Sequence, residues 1–113
     1  MDKFGFCDGD ILVFDNWIAI YSCCKETQIG RGESVHAIVF YSLMNLTSES
    51  YSLPWPNPRP GIGYIEDYTP RYATNEEIFR FFKRIDTATS ARWDFRNKKY
   101  VFKSENAEEY NKL

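Results

Sequence analysis

The chain has 113 residues, 43% hydrophobic and 18% aromatic, and a net charge of −2. That composition excludes a disordered chain, which would be poorer in aromatics, and fits one domain with a modest core that needs no staples. No apolar run reaches the ~18–20 residues of a membrane helix, and the acidic balance argues against nucleic acid as partner, because such domains are strongly basic.

The opening "MDKFGFCDGD" has neither a basic start nor an apolar run, so no signal peptide is expected and the cytoplasm is the expected compartment. Cys7, Cys23 and Cys24 fit that setting as free thiols. With a single histidine, His36, and no C-x-x-C, no zinc spacing exists.

"GDILVFDNWIAIYSCC" opens the ordered part. Its β-branched and aromatic residues predict strands near 10–14 and 17–24, joined at Asp15-Asn16. In an extended strand Cys23 and Cys24 point to opposite faces. "KETQIGRGES" reads as a loop, given Gly30, Gly32 and its charges. "VHAIVFYSLM", residues 35–44, is apolar at nearly every position, which predicts a central strand covered on both faces.

Residues 51–74, "YSLPWPNPRPGIGYIEDYTPRYAT", hold every proline of the chain: Pro54, Pro56, Pro58, Pro60 and Pro70. Such spacing cannot sit in a central strand and favours an extended path. The segment reads as an ordered strap, with "IGYIED" as a short fourth strand. Then "ATNEEIFRFFKRI" predicts a helix over 75–86. Thr74 and Glu77 form a capping box, and Ile78, Phe81, Phe82 and Ile85 make one apolar stripe. "ARWDF" and "KYVFK" around Arg96-Asn97-Lys98 predict a terminal hairpin, with Trp93 and Phe95 facing Tyr100 and Phe102. The polar tail from 104 to 113 is expected to fray.

Charge is unevenly spread. Residues 1–70 carry four Lys/Arg against nine Asp/Glu, residues 71–103 nine against four, and residues 104–113 one against three. A basic segment in an acidic protein suits an anion or an acidic partner. No phosphate loop, nucleophile elbow or triad is present, which argues against an enzyme and names no catalytic residue, metal ligand or cofactor. The aromatic and basic residues of the strap, Trp55, Arg59, Tyr64, Tyr68 and Arg71, are the candidate ligand-binding set. Aromatic faces stack on bases, and guanidinium forks grip phosphate. The competing assignment is that these residues only lid the core.

Two stretches carry a family resemblance. "GDILVFDNWIAIYSCC" resembles the first hairpin of a group of small uncharacterised proteins of gut bacteria and their phages, which open with a "D-x-V-L-V-x-D…W" strand pair. "YATNEEIFRFFKRI…ARWDFRNKKYVF" resembles their closing module at Ala73, Thr74, Glu76, Glu77, Phe81, Trp93 and Lys98. The resemblance implies a small SH3-like barrel and a mobile-element setting, and it transfers no site. The proline strap has no counterpart in that pattern.

The expected architecture is therefore a single α+β domain over 1–113. It comprises a small antiparallel SH3-like barrel at 8–66, a helix and hairpin at 67–103, and a tail. The expected function is non-catalytic binding: inhibition of a host factor through protein–protein contact, or alternatively sequestration of an anionic nucleotide. A small enzyme is the third reading, and a homo-oligomer stays open.

Overall fold

The structure, a computed structural model, describes residues 2–52 and 54–113. The chain is α+β. A five-stranded antiparallel sheet is built from β1 (Ile11–Phe14), β2 (Trp17–Ile29), β3 (Glu33–Asn45), β4 (Arg59–Tyr64) and β5 (Arg71–Tyr72), in the order β4-β3-β2-β1-β5. The sheet is open, with β4 and β5 at its edges. A helix α1 (Asn75–Thr89), a hairpin β6 (Ala91–Asp94) and β7 (Lys99–Phe102), and a short helix α2 (Ala107–Lys112) complete the fold.

β1 is buried at all four positions, because both faces of the sheet are covered. Ile11 and Val13 point to one side, with Ile18, Ile20 and Met44, and meet Phe81 and Ile85 of α1 and Trp93 and Tyr100 of the hairpin. Leu12 and Phe14 point to the other side, with Ala19, Tyr21, Ile38 and Phe40. There they are roofed by Phe4 and Phe6 and by Trp55, Ile62, Ile65 and Tyr68 of the strap. The near-continuous apolar run of β3 follows from the same two covers. Leu53, inside the strap, lies outside the described residues.

α1 starts where its capping box requires. The Thr74 hydroxyl accepts from Glu77 N at 3.2 Å, and the Glu77 carboxylate accepts from Thr74 N at 2.9 Å. It runs one turn beyond 86, ending at Ser90 in the left-handed conformation.

Four expectations need correcting. The fourth strand is not "IGYIED": β4 starts earlier, at Arg59, and ends at Tyr64, and Ile65–Asp67 form a 3-10 turn closed by Tyr68 N donating to Ile65 O at 3.1 Å. The segment 25–34 is not a loop: β2 and β3 continue as a two-stranded ribbon to a tight turn at Gly30-Arg31-Gly32. The ribbon gives the molecule its length, 50 × 26 × 22 Å. Next, Phe95 does not face the core. Trp93 pairs with Tyr100 and Ala91 with Phe102, whereas Phe95 begins the turn and is 61% exposed. That turn is fixed by the Asp94 carboxylate, which accepts from Arg96 N and Asn97 N at 3.0 and 3.1 Å. Finally, the tail is tied down. Asn106 caps α2 by accepting from Glu109 N, and Tyr110 is buried beneath the Arg92 guanidinium, 4.2 Å from its ring centre.

Trp93, 5% exposed, joins the hairpin to the sheet through Tyr41 at 4.9 Å and Tyr100 at 5.2 Å. Trp93→Ala is expected to cost about 3–5 kcal/mol in urea unfolding. A midpoint within error of the parent's would mean that the hairpin does not hold the fold.

Candidate functional site

The strap places its five candidate residues in three locations. Trp55 is half-buried against Phe40, with ring centres 5.6 Å apart, and the Arg59 guanidinium lies 5.4 Å from the indole centre. Arg59 opens β4 and has no acidic partner among the described residues. Tyr64 ends the same strand, opposite Ala37, and is half-buried. Tyr68 turns inward. Its hydroxyl donates to Ile62 O at 3.0 Å and its ring meets Phe14 edge-on at 5.9 Å. It closes over Gly63, whose φ of 134° only glycine adopts freely and where a Cβ would stand 3.4 Å from the Tyr68 hydroxyl.

Arg71 sits in β5, at the other edge of the sheet from Arg59. Both its terminal nitrogens donate to Glu77 at 2.8 Å. The capping glutamate of α1 thus consumes this arginine. The structure brings Trp55 and Arg59 together, uses Tyr68 as packing, and separates Arg71 from them.

His36 and Cys24, outside the strap, are also engaged. His36 pairs with Glu66 through Nδ1, and the Glu66 carboxylate also accepts from His36 N at 3.1 Å. Those bonds hold its carboxyl below the ordinary value although desolvation, the largest influence, opposes them. Cys24 is half-buried with its sulfur 3.2 Å from the Tyr21 hydroxyl, and burial pushes its thiol pKa up, away from a nucleophilic thiolate. Cys7 and Cys23 are exposed and free. Among the described residues no group of three His, Cys, Asp or Glu side chains gathers as a metal site. No helix there is long and apolar enough to cross a membrane.

An apolar surface lies elsewhere, on α1 and the C-terminal hairpin. Phe79 falls off the buried stripe of α1 and is 68% exposed. Beside it, Phe82 meets Phe95 edge-on at 5.6 Å. Phe79, Phe82, Phe95, Ile78, Trp93 and Leu113 line a groove of about 590 Å³, with Lys83, Asp86 and Arg92 at its rim. On the other flank of Phe79 a second groove of about 490 Å³ is lined by Arg80, Lys83, Arg84, Glu76 and Glu49. Phe79 and Lys83 belong to both, so they form the ridge between an apolar and a charged depression.

The charges of the ridge differ in freedom. Arg92 Nε donates to Asp86 at 3.0 Å, and Arg80 Nε donates to Glu49 at 3.0 Å. Arg84 donates to the Glu49 carbonyl and covers the Tyr51 ring at 4.8 Å. Lys83 lies 6.0 Å above the Phe79 ring with no ion-pair partner among the described residues, and Arg96, beside Phe95, likewise has none. Sequence reasoning missed this surface. The available signal was Phe79, an aromatic residue outside the apolar stripe of its own helix.

No known family model, no curated protein and no solved structure matches this chain, so the site is argued from its own geometry.

The hydrogen bonds from Arg71 hold the Glu77 carboxyl at about 2, down from an ordinary 4.5, with desolvation opposing and Thr74 adding further bonds. Because the folded-state value is depressed, the stabilisation is complete above about pH 4.5 and is lost as pH falls toward 2. Glu77→Gln can keep the capping-box bond to Thr74 and removes the charge that faces Arg71, so it is expected to lower stability at neutral pH by about 0.2–1 kcal/mol. It should also flatten the acid limb of the stability curve. An unchanged limb in acid titration of the variant would show that Glu77 is not a source of the pH dependence.

Proposed function

We propose that this chain is a non-catalytic protein-interaction module. It receives an acidic amphipathic helical segment of another protein across the Phe79 ridge. One observation carries this reading: two phenylalanines more than 60% exposed, Phe79 and Phe95, stand with half-buried Phe82 on one face. Phe82 packs on the core through Phe81, but Phe79 and Phe95 belong to neither core cluster, and exposed apolar clusters rimmed by polar groups mark contact sites.

Charge selects the partner's chemistry. Lys83, without an ion-pair partner among the described residues, lies over Phe79, and Arg80 and Arg84 lie in the adjoining depression, where Glu49 and Glu76 offset part of their charge. A helix laying apolar residues at i, i+3 and i+4 into the groove would turn carboxylates toward these cations. Steering by opposite charge then raises the association rate. Inhibition of a host factor in a mobile-element setting, the role suggested by the resemblance, fits such a surface. On the same reading the sheet is a small SH3-like barrel left open between β4 and β5.

A helical peptide library displayed on phage tests the proposal. Selected peptides are expected to combine aromatic or aliphatic anchors at helical spacing with acidic residues. Phe79→Ser should weaken their binding at least ~10-fold while leaving thermal stability within about 3 °C, because the side chain is exposed. Binders without acidic residues, or binders indifferent to Phe79, would overturn it.

A second reading, capture of an anionic nucleotide, has one observation in its favour: Arg59 is free of acidic partners and lies over the partly exposed Trp55. Thermal shift against nucleotides and cyclic nucleotides separates the two. A ligand at a hundred times its dissociation constant stabilises by about 2.7 kcal/mol, which a melting curve resolves. The protein-interaction reading expects no such shift. A shift abolished by Arg59→Ala would favour the nucleotide.

A further inference from the structure

Beyond Cys23, β2 and β3 leave the body of the protein as a bare ribbon. β1 stops pairing with β2 at Ile20, and only the Gly9–Tyr21 and Tyr21–Asp10 main-chain bonds extend it. β4 stops pairing with β3 at Ala37, and the Glu66 carboxylate takes the next amide, His36 N. From Lys25 to Ser34 every residue is exposed. The outer edge of β2 over Lys25–Ile29 therefore presents an open row of main-chain donors and acceptors.

The protein blunts its other edges. β4 contains Pro60 and follows Pro58, and β5 is two residues long and follows Pro70. A proline lacks the donor that a ladder needs. The ribbon has no proline, and its ladder runs without a bulge from Cys23 to Ile29. Proline thus protects the edges of the sheet and is missing from the arm.

The side chains suit one particular neighbour. On one face of the ribbon Lys25, Thr27 and Ile29 stand opposite Ala37, Val35 and Glu33. On the other, Glu26 and Gln28 stand opposite His36 and Ser34. We propose that the edge of β2 pairs with the same edge of a second copy of this chain. The pairing is antiparallel about a two-fold axis at Thr27 and forms a four-stranded ribbon.

In that register Thr27 faces Thr27 of the second copy, and with the flanking valines it makes a Val-Thr-Thr-Val row of β-branched residues, which pack well on a pleated surface. Lys25 faces Ile29 of the second copy, with Glu33 of that copy just beyond it, so opposite charges flank the isoleucine. On the reverse face Glu26 meets Gln28, and no like charges oppose. The interface repeats itself under the two-fold and closes at two copies. Five strand residues per copy fall well short of the ~800 Å² per partner of a standard interface, so the association is weak and concentration-dependent.

Sedimentation equilibrium from about 10 µM to about 1 mM covers the range in which so small a contact associates. A monomer–dimer equilibrium is expected, with amide exchange at Lys25–Ile29 slowing as concentration rises. Gln28→Pro removes a donor that faces the open edge, because His36 N turns away from β2 toward Glu66 and by alternation Glu26 and Gln28 face outward while Thr27 faces Val35; it should raise the dissociation constant at least ~10-fold. Thr27→Lys, which keeps the donor, sets two like charges face to face on the axis and should weaken the dimer in a way that added salt relieves. A protein that stays monomeric at the highest concentration overturns the proposal. So does a dimer indifferent to both Gln28→Pro and Thr27→Lys, or one lost instead with Phe79→Ser, which would place the contact on the helical ridge.

Discussion

The sheet of this protein is apolar on both faces, and that constraint governs everything attached to it. β1 and the inner halves of β2 and β3 alternate Ile, Val, Leu, Phe and Tyr between two sides with no polar face to leave in water. A sheet of this kind must be covered twice. The C-terminal half supplies one cover, as an amphipathic helix and an aromatic hairpin. For the other side only the N-terminal segment and the proline strap remain. Covering is thus the first duty of the strap: Pro54 is buried, Trp55 lies on Phe40, and Tyr68 lies on Phe14. Prolines suit the task, because a roof needs a stiff extended path and no ladder of its own.

The same constraint displaces the proposed contact surface. A side chain spent on covering is no longer free to recognise a ligand, and Tyr68 and Arg71 are spent. The surplus apolar material lies on the outer side of the second cover. α1 buries Phe81 and Ile85 completely yet carries Phe79 into solvent, next to a hairpin that presents Phe95. Neither ring assists the core, since cover and core are already closed beneath them. An aromatic cluster that folding does not require is what a binding surface looks like from the standpoint of the sequence.

Legibility followed the range of the interaction. The helix start at Thr74 was readable because capping is a contact over three residues, and the apolar stripe because it is periodic. The central place of residues 35–44 was readable from its unbroken apolar run. The ribbon was not, because KETQI and GRGES carry no apolar alternation. Their strand character comes from main-chain pairing with each other, and Gly30 and Gly32 look like loop residues in either case. α2 was missed because its one buried side chain, Tyr110, gains its place from Arg92 and Asp86, eighteen or more residues away. The groove was the least legible feature. It exists only because the Asp94-held turn puts Phe95 beside Phe82, a juxtaposition that sequence spacing does not encode. Trp55, Ile62, Ile65 and Tyr68 of the strap pack on the sheet, yet its five candidate residues could not be sorted into lid and site without the register of β4 and the partner of Arg71.

The two exposed features also divide the molecule usefully. The helix and hairpin cover the inner part of the sheet, where Ile11, Val13, Ile18 and Ile20 lie, whereas the ribbon begins beyond Cys23 and extends away from that cover. A partner on the Phe79 ridge and a second copy on the ribbon therefore use separate parts of the chain and do not compete for the same side chains. A ribbon-paired dimer would carry two ridges in fixed relation. For a partner that presents its acidic segment more than once, the second engagement becomes intramolecular. Avidity can then exceed the single-site affinity by ~10²–10⁴ without a new contact. A weak self-association is sufficient for this, because binding two linked segments itself draws the copies together and shifts the dimer equilibrium by mass action.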